Sequence, residues 1–298
     1  MTDINDLWPA PAKLNLFLHI TGRRENGYHT LQTLFQFIDY QDQLRFETRD
    51  DGQIKRINPL ESVPHERDLC VRAVELLKKS SGCTLGVNIH LEKNIPMGSG
   101  LGGGSSDAAT TLIALNYLWD LHLSRARLAS LGAQLGADVP IFVYGHSAWA
   151  EGIGEVIESV DLPECWYVVI FPGVMVPTGK LFGDPELTRD ARPIKIRDYF
   201  AGGTVNAFEP IVRRQYPAVN EACEWLSRQA VNTSINSLGI PRMTGTGSCV
   251  FAAYTDEQSA AFVAEKAKAE CPDDWKIIKA RSCNVSPLAQ KMKTIAGN

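Results

Sequence analysis

Residues 96–106, Pro-Met-Gly-Ser-Gly-Leu-Gly-Gly-Gly-Ser-Ser, restrict this chain more than any other stretch. Glycine enters the left-handed backbone region without penalty and lets a ligand touch the main chain. The run from Asp107 to Leu115 reads as a helix, with Ser105 and Ser106 as hydroxyl caps. A helix start leaves N–H groups unclaimed at the positive end of its dipole, which makes it an anion site. A flexible Gly/Ser linker is the plainer alternative, but linkers rarely lead straight into a capped, Ala-rich helix.

Three kinds of nucleotide loop compete for this segment. The letters at 98–103 satisfy G-x-G-x-x-G, which calls for a buried parallel strand running directly into the first glycine. Residues 85–91 instead alternate, with Val87, Ile89 and Leu91 set against Asn88 and His90, as in a half-exposed antiparallel strand. A dinucleotide-binding dehydrogenase is therefore disfavoured. A Walker A loop is disfavoured too, because no lysine follows the glycines.

Composition narrows the classes further. With 298 residues and a formal net charge of −4, the chain has material for two domains and no basic footprint for nucleic acid or an anionic membrane. Its seven cysteines form no C-x-x-C pair, the pattern of reduced thiols in a cytoplasmic protein. The six histidines show no metal-ligand spacing. Neither a signal peptide nor a membrane-spanning apolar run is visible.

In chain order, residues 13–20 alternate as a strand, with Lys13 and Asn15 as neighbours on one face roughly 7 Å apart. Asn26-Gly27 signals a turn, and Tyr28 and His29 leave it. An aromatic ring beside an imidazole can stack on a flat base and bond its edge. Residues 31–49 read as two strands, 68–79 and 124–135 as helices, and 141–144 as a strand that follows Asp138. A polar stretch at 159–164 divides the chain into 1–158 and 159–298. Beyond it come a strand at 165–171, a loop at 172–182, helices at 217–229 and 256–269, and a closing strand at 275–281. The glycine turn at 244–248 leads into a strand at 249–254.

The block at 96–106 resembles the phosphate loop of the GHMP small-molecule kinases. Residues 11–36, 135–145 and 244–251 match further blocks of that family in the expected order. The resemblance implies an α+β fold in two domains. The N-terminal one would be ribosomal-S5-domain-2-like and the C-terminal one ferredoxin-like, with the active site in the cleft between them. It implies ATP with Mg²⁺, and phosphoryl transfer to a small alcohol bearing a cytidyl diphosphate; a homoserine- or mevalonate-type alcohol is the alternative. A catalytically silent member of the fold would lack the catalytic pair that this chain keeps.

The resemblance also assigns positions. Lys13 and Asp138 would be catalytic. Lys93 and the whole loop from Pro96 through Met97, Gly98, Ser99, Gly100, Leu101, Gly102, Gly103, Gly104 and Ser105 to Ser106 would bind ATP, with Ser105 or Ser106 near Mg²⁺. Asn15, Tyr28, His29, Thr178 and Phe182 would hold the acceptor, and Gly245, Thr246 and Gly247 would close the cleft. Asp68 stands where the family often has asparagine near the adenine, and a carboxylate can accept but not donate.

Overall fold

The computed structural model describes residues 6–25, 27–60, 63–200, 202, 204–230 and 240–297; Asn26 of the expected turn lies outside them. The first half of the chain forms β1 (Trp8–Arg23), β2 (His29–Arg49), β3 (Ile54–Arg56), α1 (Leu69–Ser81), β4 (Gly86–Glu92), α2 (Gly103–Leu118), α3 (Arg125–Gly132), α4 (Val139–Tyr144), β5 (Ala148–Gly152) and β6 (Val156–Ser159). The second half forms β7 (Trp166–Phe171), α5 (Thr178–Phe182), α6 (Ile196–Phe200), α7 (Glu209–Gln215), α8 (Pro217–Ala230), β8 (Arg242–Met243), β9 (Val250–Tyr254), α9 (Glu257–Glu270), β10 (Lys276–Cys283) and α10 (Pro287–Ala296).

The strands join in the order β3-β4-β2-β10-β7-β9-β8, with β1 and β5 also on β2 and β6 on β5. β10 is the seam: Lys276 to Arg281 pair with β7, and Ser282 and Cys283 pair with Ile38 and Phe37 of β2. β4 runs antiparallel to β2 and buries Val87, Ile89 and Leu91, as its alternation indicates. Among the described residues its one parallel neighbour is the three-residue β3, so the doubly wound parallel sheet that the dinucleotide reading needs is not built around it.

Several elements depart from the sequence reading. Residues 29–49 form one strand of 21 residues rather than two. Its polar middle is not a turn but the place where its partners change, from β5 at residues 31–35 through β10 to β4 at residues 43–49. Along β1 the alternation is broken by a register shift between Asn15 and Leu18, and side chains on both faces are buried. Residues 141–144 lie in α4, entered through Pro140; a four-residue apolar run does not distinguish strand from buried helix. Thr178 and Phe182 sit in the short helix α5, not in a loop, and α10 follows the strand expected to close the chain.

Three packed clusters organise the interior. One lies between the N-terminal strands and α1, α2 and α4, around Phe37, Leu112 and Phe142. A second lies under the C-terminal helices, around Phe208, Val219 and Val263, and a third fills the junction around Phe17, Tyr167 and Phe251. The lobes interlock, because Leu18 and Ile20 of β1 belong to the second cluster and Leu288 of α10 to the first.

α1 shows how a polar group is spent on architecture. Asp68 caps the helix, accepting from the N–H groups of Cys70 (2.8 Å) and Val71 (3.4 Å), and its other oxygen accepts from Arg56 Nε at 2.7 Å. Both side chains are buried, so removing either strands a charge. Asp68→Ala is expected to lower unfolding free energy by about 3 kcal/mol in urea titrations while leaving KM for ATP within about twofold. A large rise in that KM with stability intact would make Asp68 a ligand contact instead.

Candidate active site

The glycine loop is shaped by close approaches that no side chain could survive. Gly98, Gly100 and Gly102 all have positive φ. A Cβ on Gly100 would stand 2.2 Å from the carbonyl oxygen of Thr244, and one on Gly102 would stand 2.7 Å from the ring of Phe142. α2 begins at Gly103, with Gly102 at its N-cap, so Ser105 and Ser106 lie in its first turn and do not cap it. The glycines can turn directly into the helix because they carry no side chain to clash. The first intrahelical bond runs from Ser106 N–H to Gly102 O at 2.9 Å, which leaves the preceding N–H groups for a ligand.

A cavity of about 570 Å³ opens over this helix start. Pro96, Met97, Gly98, Ser99, Gly100, Gly102, Gly103, Gly104 and Ser105 line it. Leu101 and Ser106 do not: both are fully buried, Leu101 in the core at the lobe junction, and Ser106 Oγ has no partner among the described residues.

Lys13 meets this loop from β1. Its ammonium donates to Asn15 Oδ1 (2.5 Å) and Gly100 O (3.0 Å) and lies 3.2 Å from Asp138 Oδ2. Two of the lysine's three N–H donors thus meet oxygens of β1 and the glycine loop, and the ion pair with Asp138 brings in a third segment. Lys13 is 2% exposed, whereas the Asp138 side chain is 38% exposed and faces the same cavity. Asn15 is itself held, donating from Nδ2 to Thr33 Oγ1 at 2.9 Å.

The second glycine turn closes on the first. Cys249 N–H donates to Ser99 O at 3.0 Å, and Gly245, Thr246 and Gly247 line the cavity. Asn206 secures this turn by donating to Met243 O and Gly245 O, each at 2.8 Å. Thr178 Oγ1 meets Thr246 Oγ1 at 2.8 Å, which ties α5 to the same turn.

At the far end, Phe182 lines the cavity, whereas Tyr28 and His29 stand outside its lining. The His29 ring packs on Phe182 with centroids 5.1 Å apart, and Tyr28 is 62% exposed. Lys93 lines the cavity near Gly103, but its ammonium is engaged by Asp42 Oδ2 (2.5 Å) and Asp107 Oδ2 (2.8 Å). It therefore ties β2 to the first turns of α2.

Two family models match the chain, "GHMP kinases N terminal domain" over residues 68–146 and "GHMP kinases C terminal" over residues 187–273, together more than half of its length. The chain belongs to the GHMP kinases. Its two-domain architecture of mixed helix and sheet is the fold of that family. Among its relatives, a 4-diphosphocytidyl-2-C-methyl-D-erythritol kinase of Nitrosococcus oceani is 52% identical over 282 residues, covering 95% of this chain and 96% of that protein. One of the same name from Pseudomonas paraeruginosa is 50% identical over 96% of this chain and 97% of its own. A crystal structure of 4-(cytidine 5'-diphospho)-2C-methyl-D-erythritol kinase superposes with a TM-score of 0.78 at 32% identity, covering 93% of this chain and 99% of that one.

In this GHMP kinase, sequence reasoning passed over four residues that hold the site together. Thr244, through its side chain, accepts from Asn15 N–H at 2.9 Å; Asn206 holds the second glycine turn at Met243 O and Gly245 O, Arg189 bonds both His29 and Phe182, and Asp42 accepts from the N–H groups of Asn94 and Ile95 just ahead of the glycine loop. Thr244 opens the second glycine turn, while Asn206, Arg189 and Asp42 stand in no glycine block, and only contacts across the fold identify what each holds.

Asp107 adds a pH-dependent element. It is buried, it shares one lysine with Asp42, and Oδ1 has no partner among the described residues. Burial, the largest cause, outweighs the attraction of Lys93 and pushes its carboxyl up to about 7, with Asp42 adding repulsion. A folded-state pKa above the unfolded one means the native state holds the proton longer, so this group's contribution is full below the unfolded value of about 4 and fades as pH rises through about 7. Asp107→Asn is expected to flatten the decline in stability between pH 5 and pH 8, read as urea midpoints at both. An unchanged slope would contradict a raised Asp107 carboxyl.

Proposed function

We propose that this GHMP kinase transfers the γ-phosphoryl group of ATP to the 2-hydroxyl of 4-diphosphocytidyl-2-C-methyl-D-erythritol, a step toward isoprenoid precursors outside the mevalonate route. The names of the relatives support the acceptor. The observation that carries the chemistry is the approach of Lys13 Nζ to within 3.2 Å of Asp138 Oδ2 beside a glycine-lined helix start. We divide the work between residues 1–158, which carry the phosphate loop and the catalytic pair, and residues 159–298, which supply α5 and the cleft-closing turn.

Phosphoryl transfer is mostly positioning and charge stabilisation. The N–H groups at the start of α2 would receive phosphate oxygens, with the dipole of a 16-residue helix behind them. Asp138, partly open to the cavity, would take or orient the acceptor's hydroxyl proton. Lys13, fixed by Asn15 and Gly100, would stabilise negative charge at the transferring group. Mg²⁺ arriving with the triphosphate would screen its charge. Among the described residues no cluster of three or more His, Cys, Asp or Glu could hold a metal, and Ser105 is the hydroxyl of the two serines that reaches the cavity. Phosphate and water oxygens, with Ser105, suit that hard cation. His29 and Phe182 favour an acceptor with a base over homoserine or mevalonate, neither of which offers a ring to stack on.

Asp138→Asn is expected to lower kcat about 10²- to 10⁴-fold while ATP binding, measured by calorimetry, stays within a few-fold. An unchanged kcat would remove Asp138 from the chemistry. Tyr28→Ala should raise KM for the cytidyl acceptor about tenfold with little effect on ATP. Equal losses for both ligands would make Tyr28 structural.

A further inference from the structure

Arg189 lies in an irregular stretch between α5 and α6, yet one guanidinium holds both candidate base-binding residues. Its Nη1 donates to Leu187 O at 3.0 Å, and its Nη2 donates to Phe182 O at 2.9 Å and Asp184 O at 2.7 Å. Its Nε donates to Nε2 of His29 at 3.1 Å. Arginine has donors only and keeps its charge in proteins. The His29 nitrogen that faces it must therefore present a lone pair, so the imidazole is neutral and its single proton is on Nδ1. Burial first, then the charges of Arg189 and of Arg23, which pairs with His29 across the β1–β2 ladder, hold this histidine below the usual imidazole range.

We propose that Arg189 is a positioning residue that locks His29 in its Nδ1–H form and so makes the acceptor pocket select cytosine over uracil. The selectivity rests on the reading of His29 and Phe182 as the base-binding pair; the tautomer does not. An Nδ1–H group can only donate. Both bases accept at O2, but at N3 cytosine accepts whereas uracil carries a proton, so a donor set against the N3 edge would face a donor in uracil. Leaving such groups unpaired is costly where water is excluded. Phe182 packs on the His29 ring at an interplanar angle of 31°, and its carbonyl is held by the same guanidinium. One residue thus orients the edge-reading group and the stacking ring together.

Two measurements test this on the full chain. ¹⁵N-histidine NMR of the free protein, with the His29 signals assigned by their loss in His29→Gln, should show Nδ1 protonated and Nε2 bare at neutral pH. An Nε2–H tautomer or an imidazolium would overturn the lock without reference to any substrate. The ratio of kcat/KM for cytidyl against uridyl acceptor should be on the order of 10² in the wild type. Arg189→Met should reduce that ratio at least tenfold through KM of the cytidyl acceptor, with KM for ATP unchanged, and Arg189→Lys, also a pure donor, should restore part of it. Proportional losses for both acceptors would reduce Arg189 to a structural role and overturn the selectivity. Turnover of neither acceptor by the wild type would overturn the functional reading and the selectivity with it, while the NMR result decides the tautomer independently.

Discussion

A positive charge buried to 2% exposure has to be matched from all sides, and Lys13 is matched by segments far apart in the chain. Removing an ammonium from water costs several kcal/mol unless its donors find oxygens. Here the oxygens come from β1 itself, from the glycine loop and from the residue before α4. The main chain repeats the tie, since Lys13 N–H donates to Leu101 O at 3.0 Å. Satisfying one charge thereby fixes the strand, the phosphate loop and the carboxylate in mutual register. The same contacts that stabilise the fold at this point hold the proposed catalytic pair in place.

Around that ion the structure spends glycine where two backbones must touch. Gly100 lies so close to Thr244 O that only a hydrogen fits between them, and the two glycine turns come from opposite lobes. Asn206 and Thr244 then fix the C-terminal turn against β1 by side-chain hydrogen bonds. The cavity is therefore bounded by backbone on the side of the glycine turns and by the rings of Phe182 and Phe208 on its far side. A charged, flat-ended ligand matches that division of chemistry better than a small apolar one.

The parts of this molecule legible in the sequence were those governed by local rules. The helices expected at 124–135 and 256–269 do form, capped by Ser124 and Asp256, β4 keeps its alternation, and α8 starts at Pro217. The glycine blocks pointed to the cavity because glycine has few other reasons to recur at that spacing. Local rules failed where distant partners decide. β2 stays one strand because successive neighbours pair with it. α4 is a helix because its apolar run packs on α2 and α3. Lys93 carried a family role in the sequence, but two carboxylates distant in the chain engage its ammonium. Arg189 sits in a stretch without periodicity, so nothing short of its contacts reveals it.

The central claim is that a lysine–carboxylate pair beside a helix start transfers phosphate to one hydroxyl of a cytidyl alcohol. The most direct measurement is ³¹P NMR of the products after incubation with ATP, Mg²⁺ and 4-diphosphocytidyl-2-C-methyl-D-erythritol. The account predicts ADP together with a new phosphomonoester on the 2-oxygen, with the diphosphate link intact. ADP accompanied only by inorganic phosphate, or no new phosphoester at all, would contradict it.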